Sequence, residues 1–471
     1  MNNSNINCLL WADDLLLISR TPSGLQNSIN KMHEFYQSMD LDVNVKKTKV
    51  MIFNKRGLKM DKKCSFNLGD KNIEITDEYQ YLGIKLRPSG SFSLAVQELN
   101  DKACRAWFGI SNIIFKNKRM EVDKIFSLFD SLVTPVATYG SPLWLPFIIK
   151  NKSFENKNDF LNTWEVFKSE IINQKCSKMV LSVKKTTSRL AVLGELGRYP
   201  LFIPSLAHCL NYKLSLLSRR SSDKLLGHAL IEMENLKNKN CESWLTRVNK
   251  IENLLNIPKT LFYNKVSGKK LLVILKSKFD SIFLAKINEA KISSSDQVNH
   301  NKLRTYNSLK SSFTREPYID LVRNRNQRCF LSRLRVSSHN LRVELGRYTR
   351  PITPLTQRTC LYCRPPGPSS PAPCQAAPGA TTGAGQAPID DEFHFIIECS
   401  MFFNERNCLY NSFVSRNFYF SSLTNTEKFK TLLCPVDAFG AKLVNRFIRN
   451  MFKKREIYDE LNSGHPLGRN D

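Results

Sequence analysis

Over residues 1–90 the apolar positions come in short runs broken by turn residues, and beyond them they recur at steps of three and four. Read as a helix, "CLLWADDLLLIS" (Cys8–Ser19) would carry apolar residues all round and force two carboxylates toward a core without partners, which is costly. Two short buried strands with Ala12-Asp13-Asp14 at the turn put the charges at the tip instead, and the flanking Leu, Trp and Ile residues then cover a sheet. In "RTPSGLQNSINKMHEFYQSM", Thr21 suits an N-cap and Pro22 the first helical position, while Leu25, Ile29, Met32 and Tyr36 share one face. "LDVNVKKTKVMIF" predicts a strand in which Val50 and Ile52 alternate, with Lys46, Lys47 and Lys49 just before or among them. "FNLGDKNIEI" predicts a hairpin, and Tyr81-Leu82-Gly83-Ile84 the end of a further strand.

From Ser93 to Ile114 the apolar residues Val96, Leu99, Ala103, Ala106, Ile110 and Ile113 predict an amphipathic helix that starts after Gly90 and Ser91. Residues 151–301 read as helical segments rich in Lys and Asn, with Trp164, Phe167 and Ile171 at helical spacing and His208 and Cys209 as core residues. "LKNKNCESW" and "KISSSDQVNHNK" are candidate loops. Residues 414–471 read as a terminal helical segment with Lys453, Lys454 and Arg455 exposed. The most apolar stretch, Leu132–Ile149, contains Pro135, Pro142 and Pro146, which argues against a membrane span.

Composition narrows the partner. With 471 residues and 42% hydrophobic content the chain can build two to four cored domains. Its 70 Lys and Arg against 42 Asp and Glu give a net charge of +28, which favours a polyanion. The basic residues are spread along the chain rather than gathered beside an apolar segment, so nucleic acid is preferred to an anionic membrane. No signal peptide is visible, and the 13 Cys, mostly among apolar neighbours, suit reduced thiols in an intracellular protein.

Three groups carry candidate chemistry. Asp13 and Asp14 repel unless a cation neutralises them, and hard oxygens on a rigid turn suit the Mg²⁺ or Mn²⁺ pair of a phosphoryl transfer; the alternative is a solvent-exposed turn. Between Leu321 and Arg350, eight Arg face one acid, Glu344. On a helical projection Arg325, Arg328 and Arg335 lie opposite Phe330 and Leu334, a basic face suited to RNA or DNA phosphates. Cys360 and Cys363, then His394 and Cys399, give three thiolates and an imidazole, enough to close a structural Zn²⁺ site, with Cys374 and Cys408 as alternative ligands. The Pro/Ala/Gly-rich tract 364–388 between the two pairs is expected to be disordered. Phe393, Phe395, Phe402 and Phe403 either stack on bases or pack under the zinc unit.

Several of these segments together resemble one family. "WADD" is similar to the (Y/F)-x-D-D box of reverse transcriptases, "LDVNVKKTKVMIF" to the Asn-x-x-Lys-Thr segment that follows it, and "YQYLGI" to the primer-gripping Tyr-Leu-Gly hairpin. Their order resembles the palm of non-LTR (LINE-type) retrotransposon polymerases. "FDSLVTPVATYGSPLW" (Phe129–Trp144), "LGELGRYPL" (Leu193–Leu201) and "SSHNLRVELGRYTR" (Ser337–Arg350) resemble downstream parts of the same reading frame.

The resemblance implies an α+β fold: a partial palm over 1–90, thumb-like helices over 91–150 and a helical linker over 151–320. A basic segment over 321–358, a zinc-knuckle-like unit over 359–413 and a helical tail over 414–471 follow. It implies metal-site roles for Asp13 and Asp14, triphosphate contacts for Asn44, Lys47 and Thr48, and primer support for Tyr81, Leu82 and Gly83. Lys102, Arg105, Lys116 and Lys118 on the first thumb helix would face phosphates, unless that helix is purely structural. Trp11 departs from the usual Tyr or Phe. The family keeps another palm carboxylate upstream of this box, and Asp40 and Asp42 read as a solvated turn rather than a replacement. The chain is therefore expected to be a C-terminal fragment, inactive alone, with RNA template, DNA primer or target, and an upstream portion in trans as partners, resident in the nucleus. The competing expectation is a non-catalytic nucleic-acid-binding zinc protein derived from a retroelement.

Overall fold

The computed structural model describes residues 7–53, 64–149, 162–219, 224–239, 241–258, 268–292, 302–363, 387–416 and 418–463. It is a mixed α+β chain with small sheets at its N-terminal end and helices thereafter. Its segments sort into two compact units: Met1–Ala103, Pro135–Lys168 and Phe202–Val273 in the first, Cys104–Thr134, Ser169–Leu201 and Ile274–Asp471 in the second. No described helix is long and apolar enough to cross a membrane.

The first unit begins with the antiparallel hairpin β1 (Cys8–Trp11) and β2 (Asp14–Leu17), with Cys8 opposite Leu17 and Trp11 opposite Asp14. The expected buried sheet does not form, because the hairpin is a two-stranded sheet of its own; Leu10 is 65% and Trp11 68% exposed. Helix α1 (Pro22–Ser38) starts where expected: Thr21 accepts from Gly24 N at 3.1 Å and Pro22 leads the first turn. A three-stranded sheet, ordered β3 (Lys49–Val50), β5 (Lys71–Ile75), β4 (Phe66–Leu68), packs beneath it. Ile29, Val50, Phe66, Leu68 and Ile73 form the shared core, with Leu17, Leu25 and Met32 at its margin. Strand β3 is shorter than expected because residues 45–47 turn rather than extend. The hairpin β6 (Tyr79–Tyr81) and β7 (Ile84–Leu86) follows.

A helical part completes this unit. Helix Ser141–Ile148 contains Pro146, which lacks the N–H that Pro142 O would otherwise accept. Trp244 Nε1 supplies that bond at 2.7 Å, so an indole replaces a backbone donor. Trp164 and Cys209 are buried as expected, and Trp144 is buried too; His208 is exposed and Ile171, in the second unit, is 50% exposed, contrary to expectation. The spacing fails at Ile171 because Trp164 lies in a 3₁₀ turn, Asn162–Val166, that ends before helix Glu170–Leu181 begins.

Helix α2 (Ser93–Lys116) forms over the predicted span, but its buried stripe runs Val96, Leu99, Ala103, Trp107 and Ile114, leaving Ile113 69% exposed. Trp107 sets that register by packing against Phe115 and Phe129, with ring centroids 5.9 and 5.6 Å away. Elsewhere in the second unit Phe313 packs at steep ring angles against Tyr199 and Phe283, both at 4.8 Å between centroids. Gly194 lets helix Arg189–Leu196 approach that cluster: a Cβ there would stand 2.5 Å from Phe283 Cζ and 2.8 Å from the Tyr306 hydroxyl. The terminal helical segment ends in helix Ala438–Ser463.

Candidate metal and nucleic-acid sites

At the first hairpin the turn is two residues long, Ala12 and Asp13, and Asp14 opens β2 opposite Trp11. Ala12 sits at φ +52°, a left-handed conformation that suits a two-residue hairpin but is uncommon for a residue with a Cβ. Asp13 and Asp14 are exposed, and their carboxylates make no hydrogen bond or ion pair among the described residues. Each carboxylate therefore keeps all its lone pairs for a cation or for water.

Asn44, Lys47 and Thr48 come together in one turn. Asn44 O accepts from Lys47 N at 3.1 Å and from Thr48 N at 3.0 Å, while its side chain accepts from Lys47 N at 3.2 Å. Lys47 O accepts from the Tyr79 hydroxyl at 3.4 Å. In the second hairpin Tyr81 ends β6, three residues before the strand end expected at Ile84, and Leu82 (φ +46°) with Gly83 (φ +82°) forms the turn. Leu82 O accepts from the Tyr139 hydroxyl at 2.9 Å, and a Cβ on Gly83 would lie 3.0 Å from Tyr139 Cε1. Among the described residues no hydrogen bond or ion pair links Asp13 or Asp14 to either group.

The basic face expected from Arg325, Arg328 and Arg335 does not form. The segment is not one helix: Arg325 lies in a 3₁₀ turn, Arg328 caps the short helix Cys329–Arg335, and Arg335 ends it. Arg328 is 1% exposed and donates to Val322 O at 2.8 Å and Arg323 O at 3.0 Å. Arg335 is fully buried and meets Glu195 at 2.6 Å, Glu316 at 2.7 Å and Leu433 O at 2.8 Å. Arg325 is half-buried, with its guanidinium 4.9 Å from the Phe115 ring centroid. Burial among backbone carbonyls keeps the Arg328 guanidinium, and burial against Glu195 and Glu316 keeps that of Arg335, from the phosphates that projection assigned to them.

Cys360, Cys363, His394 and Cys399 converge, with their four ligand atoms all within 4.8 Å of one another. Cys363 Sγ lies 3.7 Å from Cys399 Sγ and 3.5 Å from His394 Nε2. A tetrahedral zinc with bonds of about 2.3 Å to sulfur and about 2.0–2.1 Å to nitrogen has edges of about 3.8 and about 3.6 Å, so the donor set fits that ion. The pairing of His394 with Cys399 depends on a π-helical turn, His394–Glu398, in which Cys399 N bonds to His394 O at 2.8 Å. In an α-helix residues five apart would diverge by about 140° around the axis.

The surrounding groups, which the ligand spacing did not reveal, fix these four. Glu398 lies 3.4 Å from His394 Nδ1, leaving Nε2 for the cluster, and the Ser400 hydroxyl stands 3.3 Å from Cys363 Sγ. Hydrogen bonds with Cys360 and Cys399 push the Cys363 thiol far down, toward thiolate. Burial alone would lower His394, but hydrogen bonds to Cys363, Cys399 and Glu398 raise it. Arg455, expected to be exposed, is buried instead: it pairs with Asp390 at 2.8 Å and its Nη2 lies 3.8 Å from Cys360 Sγ. It is 4.7 Å from the centroids of both Tyr362 and Phe395. Of the aromatics considered for stacking, Phe395 and Phe402 are buried and Phe403 is 42% exposed. Cys408 is exposed outside the cluster; Cys374 and the tract 364–386 lie outside the described residues.

Residues 1–86 match the family model described as reverse transcriptase (RNA-dependent DNA polymerase). An uncharacterized transposon-derived protein of Caenorhabditis elegans is 28% identical over 148 residues, 31% of this chain and 50% of that protein. The chain thus spans about half the length of this curated relative. No solved structure matches it.

Proposed function

From the premise that residues 1–86 belong to the reverse-transcriptase family and derive from a retrotransposon, we propose that the chain is the C-terminal part of a non-LTR RNA-directed DNA polymerase. The observation that carries this reading is the tight hairpin presenting Asp13 and Asp14 exposed and unpaired at one tip. In the reaction, the primer 3′ oxygen attacks the α-phosphorus of a deoxynucleoside triphosphate and the bond to pyrophosphate breaks. Asp13 and Asp14 would hold Mg²⁺ or Mn²⁺, which would supply positive charge for the attacking and leaving oxygens. Lys47 sits beside the triphosphate on the turn shaped by Asn44 and Thr48. Tyr81, Leu82 and Gly83 support the primer end, with the hairpin braced by Tyr139.

Residues 1–90 act as palm, 91–150 as thumb, 151–320 as linker, and the segment around Cys360, Cys363, His394 and Cys399 as a zinc-stabilised element. Zinc there is architectural, since four protein ligands leave no open position. The bound partners are an RNA template and a DNA primer or target, in the nucleus. Transfer also requires a further palm carboxylate, supplied by an upstream polymerase portion. Primer extension on an RNA template with Mg²⁺ tests this. The chain alone should give no product; the same frame with its upstream palm should give product that Asp13→Ala abolishes. Undiminished synthesis by the Asp13→Ala protein would overturn the catalytic reading and leave a nucleic-acid-binding zinc protein.

A further inference from the structure

Cations from three elements of the second unit converge on one loop. The segment Ser182–Ser188, "SVKKTTS", leaves helix Glu170–Leu181 through Ser182 at φ +56°. Lys178 Nζ donates to Lys185 O at 2.6 Å, Lys302 Nζ to Thr186 O at 2.9 Å, and Arg333 Nε to Ser182 O at 2.7 Å. Lys184 Nζ donates to His339 O at 3.1 Å and to the Asn340 side chain. All these acceptors are neutral oxygens, so charge accumulates without being cancelled. Glu344, the acid whose field reaches Lys184, is engaged by Arg347 at 2.9 Å.

The loop is held in place: Ser338 Oγ accepts from Lys184 N at 2.8 Å and lies 3.0 Å from Thr187 Oγ1. The lysines bear the cost of crowding. Burial first, then Arg189 and Lys302, push Lys178 down to about 8. Burial also lowers Lys184, with Arg333 and Lys302 adding to it against Tyr348 and Glu344. Beside them Tyr348 is 55% exposed, its ring centroid 5.0 Å from Lys302 Nζ.

We propose that this loop and its flanking cations bind the phosphodiester backbone of single-stranded nucleic acid, with Tyr348 as a stacking surface for a base. A phosphate supplies the missing negative charge, and each ammonium has three donors, of which the carbonyls use one or two. An exposed aromatic ring beside clustered cations favours unpaired bases. The surface rests on the reading of the chain as nucleic-acid-binding, not on its polymerase chemistry, and it lies in a different unit from Asp13 and Asp14.

The test uses the full chain and a fluorescein-labelled, mixed-sequence single-stranded RNA, with anisotropy read between about 50 and about 200 mM salt. The variant carries Lys184→Gln and Lys185→Gln, both at exposed positions. Two lost phosphate contacts should flatten the log–log salt slope by about 1.4, so that wild type loses about sevenfold more affinity across this range than the variant. Lys184→Arg with Lys185→Arg should restore the slope. Tyr348→Ala should weaken binding at every salt without changing the slope, and should have no effect on an abasic strand. An unchanged slope in the Gln variant overturns the proposal, as does polyglutamate competing as well as RNA, which would mark an acidic protein partner. Failure of primer extension leaves these slopes untouched, so the two readings fail separately.

Discussion

Replacing Arg335 by Gln separates a guanidinium that holds the fold from one that holds nucleic acid. Arg335 is fully buried between Glu195, itself fully buried, and Glu316, and Tyr318 donates to Glu195 at 2.7 Å. Burial alone would lower the guanidinium's pKa, but Glu195 and Glu316 raise it well above its usual value. Glutamine leaves the buried Glu195 carboxylate without a cation, while Glu316 keeps Lys310 at 2.5 Å, and breaking a buried pair in this way costs about 3–5 kcal/mol. At about 2–4 °C per kcal/mol for a domain of 150–250 residues, melting of the second unit should fall by about 6–20 °C. Differential scanning calorimetry reads the loss, and Glu195→Gln in the Arg335→Gln background should restore part of it, since the two sites are coupled. RNA-binding salt slope at a temperature where the variant is folded should match wild type. A variant that melts like wild type but binds RNA with a flatter slope would refute this burial argument.

The purified chain should hold one zinc, and cobalt substitution should give thiolate-to-metal absorption that Cys399→Ser diminishes and Cys408→Ser leaves intact. Each tenfold rise in free zinc above the dissociation constant should stabilise the second unit by about 1.4 kcal/mol, and a melting temperature indifferent to zinc and chelator would reject the site. Lys178 gives a pH signature: folded it titrates near about 8, unfolded near about 10.4, so the unfolded chain holds the extra proton between these values. Wild-type stability should rise with pH through that window relative to Lys178→Met and be pH-independent relative to it below about 8. Parallel stability curves across the window would remove the crowded lysine.

What was legible in the sequence was local. Asp13-Asp14 inside an apolar run pointed to a hairpin tip, and Cys360-x-x-Cys363 with His394-x₄-Cys399 pointed to one cluster, because the doublet and each ligand pair lie within a few residues, although the two pairs stand 31 residues apart. The burial of Arg335 was not legible, since Glu195 stands 140 residues away. Helix α2 was read one position off beyond Ala103 because Trp107 outweighs Ala106 only when Phe115 and Phe129 are packed against it. The segments that resembled a downstream reading frame proved to carry architecture: Gly194 for close packing, Glu195 for Arg335, and Ser338 for the loop at Lys184. The basic surface eluded the pattern because Lys178, Lys184, Lys302 and Arg333 come from separate elements.

Metal-directed cleavage at the first hairpin bears most directly on the role of Asp13 and Asp14. With Fe²⁺ in place of Mg²⁺, a primer–template duplex, ascorbate and peroxide, the backbone is cut beside the bound ion. Mass spectrometry should find a cut between Trp11 and Leu15 that Mg²⁺ competes away and that Asp13→Asn with Asp14→Asn eliminates. The same cut in the doubly substituted chain, or cuts confined to other segments, would contradict a cation held by these two carboxylates.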